Sequence, residues 1–221
     1  MKKFNLNEIE YMNINKDLNY KDIFKNNISK MHLEVFSPKE KIVIFDSKVD
    51  IFHFILSGKA KIYMLHEDGN HSLIQFLKEG DFIGELTLLG VEIQTKDVIA
   101  INECICLSIP LDDAKDILLK DNNFLIHISK YLASKLLTRT HFLTKNKNYE
   151  LKNSLAAYIL LSENNGIYSE KHTETADFLG VSYRHLLHTL KLFQEEGLLT
   201  KQGKNYLINY DELKVLSKDI F

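Results

Sequence analysis

Three consecutive polar residues, Tyr183, Arg184 and His185, open a helical pattern, and His188 follows within one turn. The arginine guanidinium presents five N–H donors in a planar fork, and the imidazole and phenol groups can donate or accept hydrogen bonds. Such a set suits the recognition of a planar edge that carries several donors and acceptors, as a nucleic-acid base does. The chemistry indicated is therefore binding by hydrogen bonds.

The residues around this polar turn predict two helices joined by a tight turn. Gly180 supplies the backbone freedom that such a turn needs, and Ser182 is a good N-cap for the second helix. Leu186, Leu190 and Phe193 step by four and three, so the second helix has one buried face and keeps the polar residues on or near the other. In DNA-binding helix-turn-helix proteins, this end of the second helix reaches base edges in the major groove.

A hairpin pattern after the second helix completes a winged helix-turn-helix. Leu198-Leu199-Thr200 and Tyr206-Leu207-Ile208 predict two strands, and two lysines lie in the loop between them, where they can contact phosphates. We therefore expect double-stranded DNA as a partner and a recognition helix at residues 182–195. The candidate DNA-binding residues are Thr173, Ser182, Tyr183, Arg184, His185, His188, Lys191, Lys201 and Lys204.

The composition keeps an alternative open, namely a helical hairpin that only packs. The net charge is -2, so any DNA contact must rest on the local placement of charge. Only residues 111–147 carry more Lys and Arg than Asp and Glu, and the segment with the paired helices is net acidic. Thr175 and Thr189 also stand where aliphatic residues would be the simpler choice.

Short runs rich in Ile, Val, Phe and Leu alternate with turn signals between about Leu33 and Pro110. Asp68-Gly69-Asn70 is the strongest hairpin signal among them. Many short strands at this spacing predict a β-barrel or jelly roll rather than a parallel sheet. The runs are LEVF, KIVIF, IFHFIL, AKIYML, SLIQFL, VIAI and CICLSI.

Helical patterns replace the strands after Pro110, beginning near Asp112-Asp113 and continuing from about Asn122 to Lys147. Apolar residues at three- and four-residue steps form one long stripe on the second helix. Nothing nearby in the sequence covers this stripe, so we expect the helices of two subunits to pack together. The alternative is that the helix packs on its own barrel. The candidate dimer-interface residues are Leu125, Ile128, Leu132, Leu136 and Leu143.

A family resemblance rests on three segments that occur in this order: FHFILSGKAKIYML, GNHSLIQFLKEGDFIGELTLL and GVSYRHLLHTL. They resemble the cyclic AMP receptor protein/FNR (Crp/Fnr) family of bacterial transcription regulators, from about residue 20 to the end. TADFLGVSYRHLL and the following GLL are most similar to the YeiL-like branch. The resemblance implies an α+β chain with a cyclic-nucleotide-binding-type β-roll (jelly roll), a long dimerisation helix and a C-terminal winged helix-turn-helix. The expected domains are a sensor barrel at 1–110, a helical linker at 111–147 and a DNA-binding domain at 148–221.

The sensor motif of this family is only half present. In members that bind cyclic nucleotides, a Gly-Glu-Leu stretch and a later Arg hold the ribose and phosphate. Gly84-Glu85-Leu86 match the first part, but Thr95 stands at the Arg position and Lys96 follows it. A buried phosphate would lose its bidentate partner, and Lys96 lacks the fork geometry. We expect no response to cyclic AMP, and the candidate ligand-binding residues are Gly84, Glu85, Leu86, Thr95 and Lys96.

The recognition helix also departs from the commonest family form, in which an Arg, a Glu and a later Arg read the bases. The matching residues here are Tyr183, Arg184 and His188, so we expect a different half-site. The resulting prediction is a homodimeric, sequence-specific DNA-binding transcription regulator, not an enzyme, acting on a near-palindromic operator. RNA polymerase is a further candidate partner, and the small-molecule effector is unknown.

Two other functions stay open: a ligand-binding β-barrel module, or a metal-dependent cupin-type enzyme, each with a non-functional DNA domain. His53, His66 and His71 are scattered and no His-x-His occurs, so we expect no metal and no cofactor. Cys104 and Cys106 stand two apart, which disfavours a disulfide and predicts reduced cysteines packed on a core. Reduced thiols, with no signal peptide and no membrane-spanning run, predict a cytoplasmic protein.

Overall fold

The computed structural model describes residues 1–11, 18–25, 27–67, 69–145 and 151–218. The chain divides into two compact units, Met1–Tyr131 (unit 1) and Leu132–Phe221 (unit 2). Each unit is described by itself.

Unit 1 is built on an antiparallel jelly roll, as the strand runs predicted. One sheet has five strands in the order β1-β2-β9-β4-β7, and the other has four in the order β3-β8-β5-β6. These strands are β1 (Lys2–Phe4), β2 (His32–Phe36), β3 (Lys41–Val43), β4 (Ile51–Ser57), β5 (Ala60–Leu65), β6 (His71–Leu77), β7 (Phe82–Ile83), β8 (Asp97–Ala100) and β9 (Cys104–Pro110). Every predicted run corresponds to one strand, whereas β1 and β7 are too short to show a period of two in the sequence.

The helices of unit 1 are short until the last one. They are α1 (Tyr20–Ile23), α2 (Glu85–Leu88), α3 (Leu111–Ile117) and the first turns of α4 (Asn122–Lys145), with 3-10 helices at Leu6–Tyr11, Ile28–Lys30 and Leu118–Lys120. The predicted hairpin joins β5 to β6, with Leu65 opposite His71. In its turn, the His66 N–H donates to the Asn70 carbonyl at 2.8 Å. Asp68 lies outside the described residues.

An apolar core fills the space between the two sheets, with contributions from strands of both. Its buried members are Phe36, Ile55, Ala60, Leu77, Ile83, Val98, Ala100, Cys104 and Cys106. The two cysteines are free and buried on one side of β9, which confirms the expectation for this pair. Burial raises the pKa of the Cys104 thiol to about 12, so it stays protonated and unreactive at neutral pH.

The opposite face of the five-stranded sheet carries an aromatic cluster centred on Phe82. The Phe82 ring stacks on Phe52 at 5.5 Å between centroids and lies 5.0 Å from Phe54. It also meets two residues of α4, Phe124 at 6.2 Å and Tyr131 at 4.9 Å, both edge to face. Offset and edge-to-face pairs of this kind are favourable beyond their buried area. The first turns of α4 are thus fixed on the barrel of their own chain.

This packing corrects one part of the predicted dimer stripe. Ile128 lies one turn after Phe124 and is only 2% exposed within the single chain, so it offers no surface to a second subunit. Among the described side chains of α4, the large apolar residues exposed to solvent are Ile126, Leu136 and Leu137, at 55%, 66% and 61%, and of these Leu136 belongs to the predicted stripe. Leu125 and Leu132 are half-buried at the edge between the two faces. The prediction for the Leu143 side chain lies outside the described residues.

Unit 2 has the winged helix-turn-helix architecture. After the end of α4 it contains α5 (Leu151–Ser162), β10 (Ile167–Tyr168), α6 (His172–Leu179), α7 (Tyr183–Glu195), β11 (Leu199–Gln202), β12 (Asn205–Ile208) and α8 (Tyr210–Ser217). Its sheet has the order β10-β12-β11, and β11 and β12 form the antiparallel wing. The sequence analysis had not anticipated β10 or α8.

A buried polar cluster interrupts the inner face of the five-stranded sheet. Across the strands His32 and His53 both face Ser108. The Glu34 carboxylate is fully buried, and its Oε1 lies 3.0 Å from both Lys3 Nζ and His32 Nε2. His53 Nδ1 is 2.8 Å from Ser108 Oγ and 3.5 Å from Glu34 Oε2. Burial lowers the pKa of His53 to about 4, although the Glu34 carboxylate opposes this shift.

We predict that His53 makes unit 1 sensitive to acid. Its pKa is lower in the folded chain than the unfolded value of about 6.5, so the unfolded chain takes up the proton first. The stabilisation is present above about pH 6.5 and is lost as the pH falls towards 4, with a total of about 3 kcal/mol. Urea denaturation at a series of pH values should show that His53→Asn removes this part of the pH dependence.

The matched control is His66→Asn, which replaces an exposed histidine of the β5–β6 turn. It should keep the acid sensitivity that we assign to His53. If the free energy of unfolding changed with pH in the same way in the wild type and in His53→Asn between pH 4 and 7, the prediction would be contradicted. The pH dependence would then come from Glu34, Lys3 and His32.

Candidate nucleic-acid interface

The turn between α6 and α7 has the geometry that Gly180 and Ser182 predicted. Gly180 ends α6 in the left-handed conformation, with φ at 66°, which a glycine adopts without strain. The next residue, Val181, donates its N–H to the Ala176 carbonyl at 3.0 Å. Ser182 then caps α7, because its Oγ accepts the His185 N–H at 3.3 Å. The polar residues therefore fall in the first turn of α7.

The inner face of α7 is anchored in the core of unit 2. Leu186, Leu190 and Phe193 are all buried, as their spacing predicted. The polar residues Arg184, His188 and Lys191 are exposed on the opposite side of the helix, and exposed Tyr183 lies on its flank, about 60° round the helix from buried Leu186. His185 is exposed too, but on the far flank, about 100° round the helix from Arg184.

Arg184 is available for a ligand. Among the residues that the structure describes, its guanidinium makes no hydrogen bond and no ion pair. The chain has only two arginines, Arg139 and Arg184, and all its other fixed cationic side chains are lysines. One of the two arginine guanidinium groups thus lies in the first turn of α7. The small number of arginines can be read directly from the sequence.

One exposed residue of this face was missed by the sequence analysis. Leu187 lies one turn after Tyr183 and one turn before Lys191, and its side chain is exposed despite being apolar. The sequence indicates this position by spacing: Leu187 is four residues from Tyr183 and four from Lys191, which places all three on one face of the helix. Lys191 itself forms an exposed pair with Glu195 at 3.5 Å, an interaction too weak to withhold it from a phosphate.

The wing and the start of α6 lie close together. Lys201 is opposite Tyr206 in the wing, and Lys204 stands at the tip between paired Gln202 and Asn205. Both lysines are exposed. Partial burial lowers the pKa of His172, the first residue of α6, and the nearby charge of Lys201 lowers it further. Thr173 is exposed in the same first turn of α6.

Thr175 and Thr189, the two threonines that counted against the helix-turn-helix interpretation, are buried and hydrogen-bonded. Thr175 Oγ1 lies 2.8 Å from the hydroxyl of buried Tyr168 and 3.1 Å from the Lys171 carbonyl. Thr189 donates to the His185 carbonyl of its own helix at 3.1 Å. Burial raises the pKa of Tyr168, and its hydrogen bond to Thr175 opposes that shift. Thr175 therefore serves a tertiary contact, whereas Thr189 bonds only within α7.

The sensor candidates lie at the start of α2 and in the segment before β8. Gly84 precedes α2 with φ at 88°, and Glu85 is buried in the first turn of that helix next to half-buried Leu86. The Thr95 hydroxyl instead donates to the Ser47 carbonyl at 3.0 Å. Lys96 Nζ lies 3.4 Å from Glu92 Oε1. Thr95 thus bonds away from residues 84–86, whereas Lys96 reaches Glu92, whose N–H donates to the Leu86 carbonyl at 3.3 Å.

The histidines that could have formed a metal centre are apart. His53 bonds to Ser108, whereas His66 Nε2 lies 2.7 Å from Ser72 Oγ in the β5–β6 turn. In the described part of the chain, no three His, Cys, Asp or Glu side chains are grouped as metal ligands. None of the helices described there is long and apolar enough to span a membrane.

Comparisons with known proteins identify the family. Residues 33–121 match the family model of the cyclic nucleotide-binding domain. The regulatory protein YeiL of Escherichia coli O157:H7 is 38% identical over 86% of this chain and 87% of its own length. The cAMP-activated global transcriptional regulator CRP of Salmonella typhimurium is 20% identical over 82% of this chain and 91% of its own.

Solved structures agree on the fold. A transcriptional regulator of the Crp/Fnr family from Thermus thermophilus has a TM-score of 0.66 at 20% identity, covering 84% of this chain and 98% of its own. A putative Crp/Fnr regulator from Eubacterium rectale has a TM-score of 0.66 at 18% identity, with 96% and 97% covered. The chain belongs to the Crp/Fnr family of transcription regulators. Within that family, the match to YeiL confirms the resemblance to the YeiL-like branch.

We predict that the two buried threonines differ sharply in their contribution to stability. Thr175→Val leaves the Tyr168 hydroxyl buried without its partner, which should lower the free energy of unfolding by about 1–3 kcal/mol. Thr189→Val removes only a bond to a carbonyl that the helix already uses, so the change should stay below about 0.5 kcal/mol. Urea denaturation followed by circular dichroism measures both variants. If Thr175→Val and Thr189→Val lowered the free energy of unfolding by the same amount, the hydrogen bond between Thr175 and Tyr168 would add nothing to stability.

Proposed function

We propose that this chain is a homodimeric, sequence-specific DNA-binding transcription regulator whose recognition helix, residues 182–195, reads the major groove. One observation carries the proposal: the first turn of α7 presents an arginine, unpaired within the described residues, on an exposed polar face whose other side is buried. Arg184 donates two hydrogen bonds to guanine O6 and N7. Tyr183, His185 and His188 reach neighbouring bases or phosphates.

The phosphate contacts come from the rest of the exposed set. Lys191, Lys201 and Lys204 supply charge along α7 and the wing. Thr173 and Ser182 stand at the N-terminal ends of α6 and α7, where hydroxyl groups and backbone N–H groups suit phosphate oxygens. These contacts fix the register of the helix, and the bases give the specificity.

The dimer forms through the exposed face of α4. From the sequence prediction this face takes Leu125, Leu132 and Leu136, joined by Ile126 and Leu137; buried Ile128 is left out. Leu143 is included on the sequence pattern alone. Two copies related by a two-fold axis would present their recognition helices to successive major grooves ~34–36 Å apart. A near-palindromic operator follows from this symmetry.

Unit 1 acts as a sensor that does not respond to cyclic AMP. The side chains at the phosphate-neutralising positions, Thr95 and Lys96, already bond to Ser47 and Glu92. Neither offers the bidentate fork that a buried phosphate requires. We assign the sensor to residues 1–110, the dimerisation linker to 111–147 and the DNA-binding domain to 148–221, in a cytoplasmic regulator that engages RNA polymerase.

The experiment that tests the function is selection of bound sequences from a random pool of duplex DNA by the purified full chain. It is run with and without a small-molecule extract of cells. We expect an enriched site with two-fold symmetry. A ligand-binding module or a cupin-type enzyme with a non-functional DNA domain would enrich no sequence under either condition.

We predict that Arg184 and Lys204 affect DNA binding in different ways. Arg184→Ala should weaken binding to the selected operator by ~1–3 kcal/mol and relax the preference at one base pair in each half-site. Lys204→Ala should weaken binding to all sequences alike and reduce the slope of log affinity against log salt by about 1. Gel-shift titrations at several salt concentrations separate the two. Unchanged site preference in Arg184→Ala would refute its role in base recognition.

We also predict that charge on the exposed face of α4 dissociates the dimer. The double variant Leu136→Glu, Leu137→Glu would bury like charges against each other in a two-fold seam. Sedimentation equilibrium should then give a monomer at concentrations where the wild type is a dimer. The control Val215→Glu alters an exposed apolar residue of α8 and should stay dimeric. A monomeric wild type would count against this interface.

A further inference from the structure

We infer that Leu187 reads the 5-methyl group of a thymine, and so sets the specificity of one base pair in each half-site. The inference rests on the proposed function, because it assumes that the exposed face of α7 enters the major groove. It adds a contact that hydrogen-bonding residues on the same helix cannot supply.

The first step is that Leu187 does not belong to the core. Its side chain is 39% exposed, whereas the leucines on either side in the helical stripe, Leu186 and Leu190, are buried. Leu187 lies beside the buried face, about 100° round the helix from Leu186. The exposed part of its side chain gains free energy when an apolar group of a ligand covers it.

The second step is its place on the face. Tyr183 lies one turn before it, Lys191 one turn after it, and Arg184 lies three residues before it. Residues at these offsets are neighbours on a helix surface, so Leu187 stands among the groups that contact DNA in the proposal. A ligand that meets Arg184 and Lys191 must also cover Leu187.

The third step is the chemistry of that ligand. A leucine side chain has no donor or acceptor, so the edges of guanine, adenine and cytosine offer it no hydrogen bond. The thymine methyl is the apolar group that the four base pairs present in the major groove. Leu187 thus favours a T·A pair in one orientation. Because three residues of helix rise about 4.5 Å, this pair lies within about two base pairs of the guanine read by Arg184.

The test uses the operator from the selection, with each thymine of one half-site replaced in turn by deoxyuridine, which lacks only the methyl group. The wild type should lose about fourfold in affinity at one thymine, the equivalent of one buried methyl group. Leu187→Ala should bind the two DNAs equally at that position. The control Val215→Ala should behave as the wild type does.

A second variant keeps the test independent of affinity. Leu187→Gln should change the preferred base at the same position from thymine to adenine in a new selection, because a glutamine amide pairs with adenine N6 and N7. Both variants should retain the wild-type circular dichroism spectrum, since position 187 is outside the core.

The outcomes separate the inference from the function on which it rests. If no thymine is sensitive to loss of its methyl group, or if the sensitivity persists in Leu187→Ala, the inference is wrong although the protein binds its operator. If no operator is selected at all, the proposed function itself fails.

Discussion

Burial of one face of α7 is the constraint on which the candidate site depends. Leu186, Leu190 and Phe193 enter the core of unit 2, and a helix of 3.6 residues per turn then has no rotational freedom left. The direction of every exposed side chain on α7 is set by those contacts. In the proposed complex, placing Arg184 against a base edge therefore requires no rearrangement of the helix.

The same constraint organises α4 in unit 1. Phe124 and Tyr131 pack on Phe82, and this fixes which side of the helix remains outside. Farther along the same helix, Leu136 and Leu137 are exposed. In α4 as in α7, the buried contacts determine which side chains remain available to a partner.

Local chemistry made most of this fold predictable. A period of two marked the long strands, and Gly180 with Ser182 marked the helix break, because each of these signals acts within a few residues. The sequence could not tell which side of α4 its own barrel would cover, so Ile128 was placed on the wrong face. It could not show the role of Thr175 either, because the partner hydroxyl on Tyr168 is brought to it by β10. Leu187 was overlooked because an apolar residue in a helical stripe is usually buried.

The charge of the chain bears on how it can distinguish an operator from other DNA. Non-specific affinity comes from neutralised phosphates, and the proposed face of each subunit offers only a few lysines, Lys191, Lys201 and Lys204, on a chain of net charge -2. Binding to random DNA is then weak, and contacts to bases must provide a large share of the free energy at the operator. In the proposed dimer, direct readout by Arg184 in both half-sites would meet that need, because two half-sites multiply the discrimination that one helix provides. A low electrostatic background would thus favour selectivity over affinity.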